Sequence, residues 1–89
     1  MLLGRKTAKE RLASFLVRIS ERAAARGGSE SLVQLPMSRG DIGDFLGLSV
    51  ETVSRTVTKL KSDSVIALLE GNVVELRNYD ALLEIAEGD

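Results

Sequence analysis

Eighty-nine residues leave room for one compact domain and not for two, and a composition of 44% hydrophobic and 28% charged residues is that of a globular chain. With no cysteine and no histidine, the chain lacks a disulfide scaffold, a thiolate nucleophile, the commonest general base and the commonest metal ligand, which sets hydrolase triads and zinc chemistry aside. The net charge of −1 hides a gradient: residues 1–26 carry seven cations against two anions, residues 27–61 balance, and residues 62–89 carry one cation against seven anions.

Such asymmetry fits one end that faces a polyanion, and fits equally a solvated basic helix face. The longest apolar run, residues 65–69, is far short of the ~18 residues that a membrane-spanning helix needs. The opening Met-Leu-Leu is too short for the apolar region of a signal peptide, so the expectation is a cytoplasmic protein with no membrane partner.

In chain order, Ala8, Leu12, Phe15, Leu16, Ile19 and Ala23 recur at helical spacing and predict an amphipathic helix over residues 6–25. Arg26, Gly27, Gly28 and Ser29 stop it, glycine supplying the left-handed conformation that a helix end favours. Leu32 and Val33 suit a brief strand, and Pro36 restricts Leu35 to extended geometry at its end. Ser38 with Asp41 three residues on is a capping-box variant. It opens a two-turn helix with Ile42, Phe45 and Leu46 as its apolar set, which Gly47 stops.

Only Leu48 and Ser49 separate that stop from a second helix, over residues 50–61. Ser49 is its N-cap and Glu51 sits at the positive end of its dipole. Val50, Val53, Val57 and Leu60 form its apolar stripe, and Glu51, Thr52, Ser54, Arg55, Thr58 and Lys59 its opposite face. Three β-branched valines make a mediocre helix in isolation, so tertiary packing must hold it. A short helix, a glycine-containing turn and a longer helix constitute a helix-turn-helix. Residues 65–69 and 73–77 flank Glu70, Gly71 and Asn72 as a hairpin. Asn78 then caps a last helix over residues 79–87, with Leu82, Leu83, Ile85 and Ala86 as its apolar positions. The predicted fold is mainly α with a small β-hairpin, a winged helix-turn-helix.

Glu51 and Arg55 stand four apart and share one helix face. Arginine donates two bonds to guanine O6 and N7, and glutamate accepts from cytosine N4, so the pair suits a major groove. The carboxylate is also expected to hold the guanidinium in its fork geometry before DNA arrives. Taken alone, the pair reads as an ordinary surface ion pair worth ~0.3–0.5 kcal/mol. On the second helix of a helix-turn-helix, with serine and threonine beside it, groove reading is the better account. Ser38, Ser49 and Thr52 lie at helix N-termini, where they act as caps and where a phosphate is also favoured. Arg39, a cation at a helix start where the dipole disfavours it, is the stronger phosphate candidate. Gly40-Asp41 and Gly71-Asn72 have no nucleotide-loop context, and the carboxylates of residues 80–89 no calcium-loop spacing. No catalytic, cofactor-binding or metal-binding residue is expected, and the chain does not read as an enzyme.

Residues 37–55, MSRGDIGDFLGLSVETVSR, resemble the helix-turn-helix of the Crp–Fnr family of bacterial transcription regulators. Within them VETVSR, residues 50–55, resembles the Fnr-type recognition helix. With GRKTAKERLASF at residues 4–15 the chain is most similar to the FixK branch, over roughly residues 3–87. The resemblance implies sequence-specific binding of double-stranded DNA, with helix 50–61 in the major groove of a TTGA-type half-site of a palindromic operator. It implies that Glu51 and Arg55 read a G·C pair, that Ser54 helps to separate Fnr-type from Crp-type sites, and that Val50 stands where Crp-type proteins carry arginine. Ser38, Arg39, Ser49 and Thr52 match phosphate-contacting positions. Full-length members are homodimers with an effector domain and a long dimerisation helix, and contact with RNA polymerase is implied. Residues 1–4 would be the tail of that helix and residues 5–89 the winged-helix DNA-binding domain. One departure stands out: the hairpin tip holds Glu70 and no cation to meet a DNA backbone. The alternative is a winged helix used for protein–protein contact, which the near-neutral charge permits.

Overall fold

A helix whose first turn is locked by its own side chains opens the computed structural model, which describes residues 7–29 and 31–88. Thr7 accepts the Glu10 N–H at 3.1 Å while Glu10 Oε1 accepts the Thr7 N–H at 2.8 Å, a complete capping box. This sets the start of α1 (Ala8–Ala25), two residues later than the periodicity implied. There follow β1 (Leu32–Gln34), α2 (Arg39–Leu46), α3 (Val50–Ser62), β2 (Ile66–Leu69), β3 (Val73–Leu76) and α4 (Tyr79–Glu87). Residues 1–4, expected as the tail of a dimerisation helix, lie outside the described residues.

The small hairpin is part of a larger sheet. β1 joins it antiparallel, giving three strands in the order β1-β3-β2, with Val33 and Leu68 both opposite Val74. β3 thus has both edges paired, which a three-residue strand ending before proline does not announce in sequence. Strand alternation sends Val33, Ile66, Val74 and Leu76 inward. There they meet Leu12 and Leu16 of α1, Ile42 of α2, and Val53, Val57 and Leu60 of α3 in one core. Leu82 of α4 closes it, as α4 packs against α1. Each such aliphatic side chain contributes ~1.5–3 kcal/mol on full burial.

Two expected core positions are not in the core. Phe45 is 64% exposed, lying on the flank of α2 with its ring 5.9 Å from that of Phe15. Val50 is 47% exposed, because the first turn of α3 projects past the end of the core. The buried stripe of α3 is Val53, Thr56, Val57 and Leu60, a set at i, i+3, i+4 and i+7. Thr56 tolerates burial because its hydroxyl donates to the Thr52 carbonyl at 2.7 Å.

Candidate nucleic-acid interface

The angle between α2 and α3 is set by two glycines. Gly47 takes φ 74°, the left-handed region that releases the chain from α2. Its N–H and that of Leu48 both return to the Gly43 carbonyl, the latter at 2.7 Å. Gly43 is buried where α2 meets the turn. A Cβ there would stand 2.5 Å from the Leu48 carbonyl oxygen and 3.4 Å from Val53 Cγ2. The close approach therefore needs a residue with no side chain.

Hydroxyl caps start both helices. Ser38 Oγ accepts the Asp41 N–H at 3.2 Å. Among the described residues no bond returns from the Asp41 carboxylate, so only the serine half of the expected box forms. Ser49 Oγ accepts the Thr52 N–H at 3.1 Å and donates to Thr52 Oγ1 at 2.9 Å. The Ser49 hydrogen is thereby used, and the Thr52 hydroxyl keeps its own to donate outward. Arg39 is exposed and borders an apolar depression lined in part by Leu35, Ile42 and Leu68. A guanidinium stem can lie along such a surface while the head stays in water, which offsets the unfavourable dipole at a helix start.

On α3, Glu51, Ser54 and Arg55 are exposed together, with Val50 at the same end and Thr52 half-buried. The expected carboxylate–guanidinium fork is absent: among the described residues no ion pair joins Glu51 to Arg55. Both residues are exposed, and between exposed charges a pair gains too little to order two long side chains. The ion pairs that do form converge on Asp63, which lies 3.6 Å from Lys59 and 3.7 Å from Lys9. They link the C-terminal end of α3 to the first turn of α1. Only the i, i+4 half of this arrangement was visible in the sequence.

The hairpin tip is held from β1. Gln34 Nε2 donates to the Gly71 carbonyl at 2.7 Å, Asn72 Nδ2 to the Leu35 carbonyl at 3.3 Å, and the Leu35 N–H to the Asn72 carbonyl at 3.0 Å. Gly71 and Asn72 both take positive φ, 76° and 62°, as residues of these types do in tight turns. Gln34 had no signal in the sequence, since its partner is a backbone carbonyl distant along the chain. Among the described residues no group of three or more carboxylates is placed to hold a metal ion, and no helix is long and apolar enough to cross a membrane.

Residues 10–85 match the Crp-like helix-turn-helix domain. The nitrogen fixation regulation protein FixK of Rhizobium meliloti (strain 1021) is 50% identical over 82 residues, which are 92% of this chain and 37% of that protein. The fumarate and nitrate reduction regulatory protein of Escherichia coli (strain K12) is 43% identical over 86 residues, 97% of this chain and 34% of that one. Among solved structures, FixK2 from Bradyrhizobium japonicum superposes with a TM-score of 0.81 at 42% identity, covering 94% of this chain and 40% of its own. The chain therefore spans little more than a third of the length of the regulators it matches.

Proposed function

The chain belongs to the Crp-like helix-turn-helix family, and from that premise we propose that it is the DNA-reading part of a transcription regulator, with α3 in the major groove of a TTGA-type half-site. One observation carries the reading. Glu51, Ser54 and Arg55 stand exposed on a helix whose other side, Val53, Val57 and Leu60, is anchored in the core. A rigid helix with an uncommitted polar face can enter a groove without rearranging.

Arg55 supplies two parallel donors to guanine O6 and N7, and Glu51 accepts from the N4 amino group of cytosine. Because the two are not paired with each other, no ion pair between them has to break on binding. Ser54 adds a hydroxyl beside them, and the exposed Val50 suits apolar contact with a thymine methyl. Phosphates meet Arg39 and the Ser38 cap at the start of α2, and the free hydrogen of Thr52 beside the Ser49 cap at the start of α3. In the full-length protein two copies bind a palindromic operator as a homodimer, with half-sites one helical turn, ~34–36 Å, apart. The regulator acts in the cytoplasm and contacts RNA polymerase.

Fluorescence anisotropy with a TTGA palindrome and a scrambled duplex of equal composition, run across a salt series, tests this. Tighter binding to the palindrome at each salt concentration is expected. Equal affinity for the two duplexes, or none for either at low salt, rejects the proposal and favours a winged helix built for protein contact.

A further inference from the structure

Away from α3, the arginines of α1 form a second charged surface. Arg11, Arg18 and Arg22 follow one another at steps of seven and four, which places them on one side of the helix. Arg18 and Arg22 are exposed, and among the described residues none of the three enters an ion pair. Arg11 is fixed in place, its Nη1 donating to the Leu46 carbonyl at 3.0 Å. Between α1 and the end of α2 lies a cavity of about 190 Å³. Phe15, Phe45 and Leu46 provide its apolar wall, Arg11 and Arg18 its charge, and no carboxylate lines it. The Phe45 ring sits 5.9 Å from that of Phe15, centroid to centroid, and is 64% exposed. Leaving an aromatic in water forgoes ~1.5–3 kcal/mol of burial, and an exposed aromatic beside arginines has the composition of an interface centre.

We propose that this arginine ridge and its pocket dock a second protein, through a segment that places one bulky apolar side chain against Phe15 and Phe45 and its carboxylates against Arg11, Arg18 and Arg22. Charge complementarity selects an acidic segment, because an uncompensated cationic ridge attracts anions and repels basic partners. The apolar pocket between the arginines selects protein over nucleic acid, since a phosphate backbone satisfies the cations and leaves Phe45 in water. None of the residues lining the pocket is among those assigned to DNA contact. The pocket lies at the C-terminal end of α2, while Ser38 and Arg39 lie at the other end, and eight residues at 1.5 Å rise separate the ends by ~12 Å.

The test is an amide NMR titration of the chain with the hexapeptide acetyl-Glu-Asp-Leu-Phe-Glu-Asp-amide. Its controls carry Ser-Ser in place of Leu-Phe, or the neutral amides in place of the four carboxylates. Shifts are expected at Ser14, Phe15, Arg18, Phe45 and Leu46, with each control peptide binding about tenfold more weakly or worse, the loss that one anchor side chain carries. Arg18→Glu and Phe45→Ser, both on exposed side chains, should weaken the peptide to the same degree and leave duplex affinity unchanged. The proposal is overturned by the absence of shifts at these residues, or by equal shifts with the control peptides. It is overturned also by concentration-dependent shifts there without peptide, which would assign the surface to a second copy. Loss of duplex affinity in both variants would make the ridge a DNA contact.

Discussion

Replacing Gly43 by alanine adds one methyl carbon at the closest approach between α2 and the turn that leads into α3. That carbon would stand 2.5 Å from the Leu48 carbonyl oxygen, where ordinary contact begins at 3.4 Å. The obstacle is backbone, held by the Leu48 N–H bond to Gly43 itself, so it cannot swing aside as a side chain would. Overpacking of this kind costs ~1–3 kcal/mol. A rigid backbone obstacle puts the cost in the upper part of that range, ~2–3 kcal/mol, and alanine returns up to ~1 kcal/mol through helix propensity, which leaves a net loss of about 1–2 kcal/mol. In a domain of this size that lowers Tm by roughly 4–8 °C per kcal/mol. Gly40 is the internal control: in the same helix its added Cβ would meet nothing nearer than Ser38 Oγ at 3.8 Å. Gly40→Ala should therefore stabilise by ~0.5–1 kcal/mol. Urea denaturation of the two variants gives opposite signs if packing between α2 and the turn governs Gly43. A Gly43→Ala protein as stable as the parent would refute the close approach as the reason for glycine.

Arg39→Ala should weaken specific and scrambled duplexes alike, and reduce the slope of log K against log[salt] by about 0.9, the signature of one lost phosphate contact; an unchanged slope would make Arg39 an ordinary surface cation. Ser49→Ala removes the cap of α3 and should cost ~1 kcal/mol in a urea titration, whereas Thr52→Val, which keeps the shape and removes the outward donor, should lower DNA affinity more than stability. Gln34→Ala should speed amide hydrogen exchange at Leu35, whose N–H is bonded to the clamped hairpin tip, with global stability changed by no more than ~1 kcal/mol; exchange at the parent rate would show that the clamp holds nothing.

The helices were legible because each carries both a period and a stop. Leu12, Phe15, Leu16 and Ile19 repeat at helical spacing, Ser38 and Ser49 are cap residues, and Gly47 is the turn. The winged helix followed from their order. What escaped depended on partners distant in sequence. β1 gave a strand signal but no sign that β3 was its neighbour. Periodicity put Phe45 and Val50 on apolar faces without revealing where the core ends, and Thr56 was passed over because a buried hydroxyl shows itself only by its bond to Thr52. Spacing brought Glu51 and Arg55 to one face correctly, but spacing does not decide whether two hydrated charges associate. The Asp63 link to Lys9 and the Gln34 clamp are tertiary contacts with no local trace.

The reading of α3 as a groove reader rests most heavily on Arg55, whose guanidinium offers the two parallel donors that lysine cannot reproduce. The direct test is a set of binding isotherms for the parent and Arg55→Lys, on a TTGA duplex and on duplexes substituted at its G·C pair. Charge is conserved, so non-specific binding at low salt should barely change. Specific binding should fall by ~1–3 kcal/mol, and the preference at that pair should disappear. A variant that keeps the parent's ranking of the duplexes would contradict base reading by this helix.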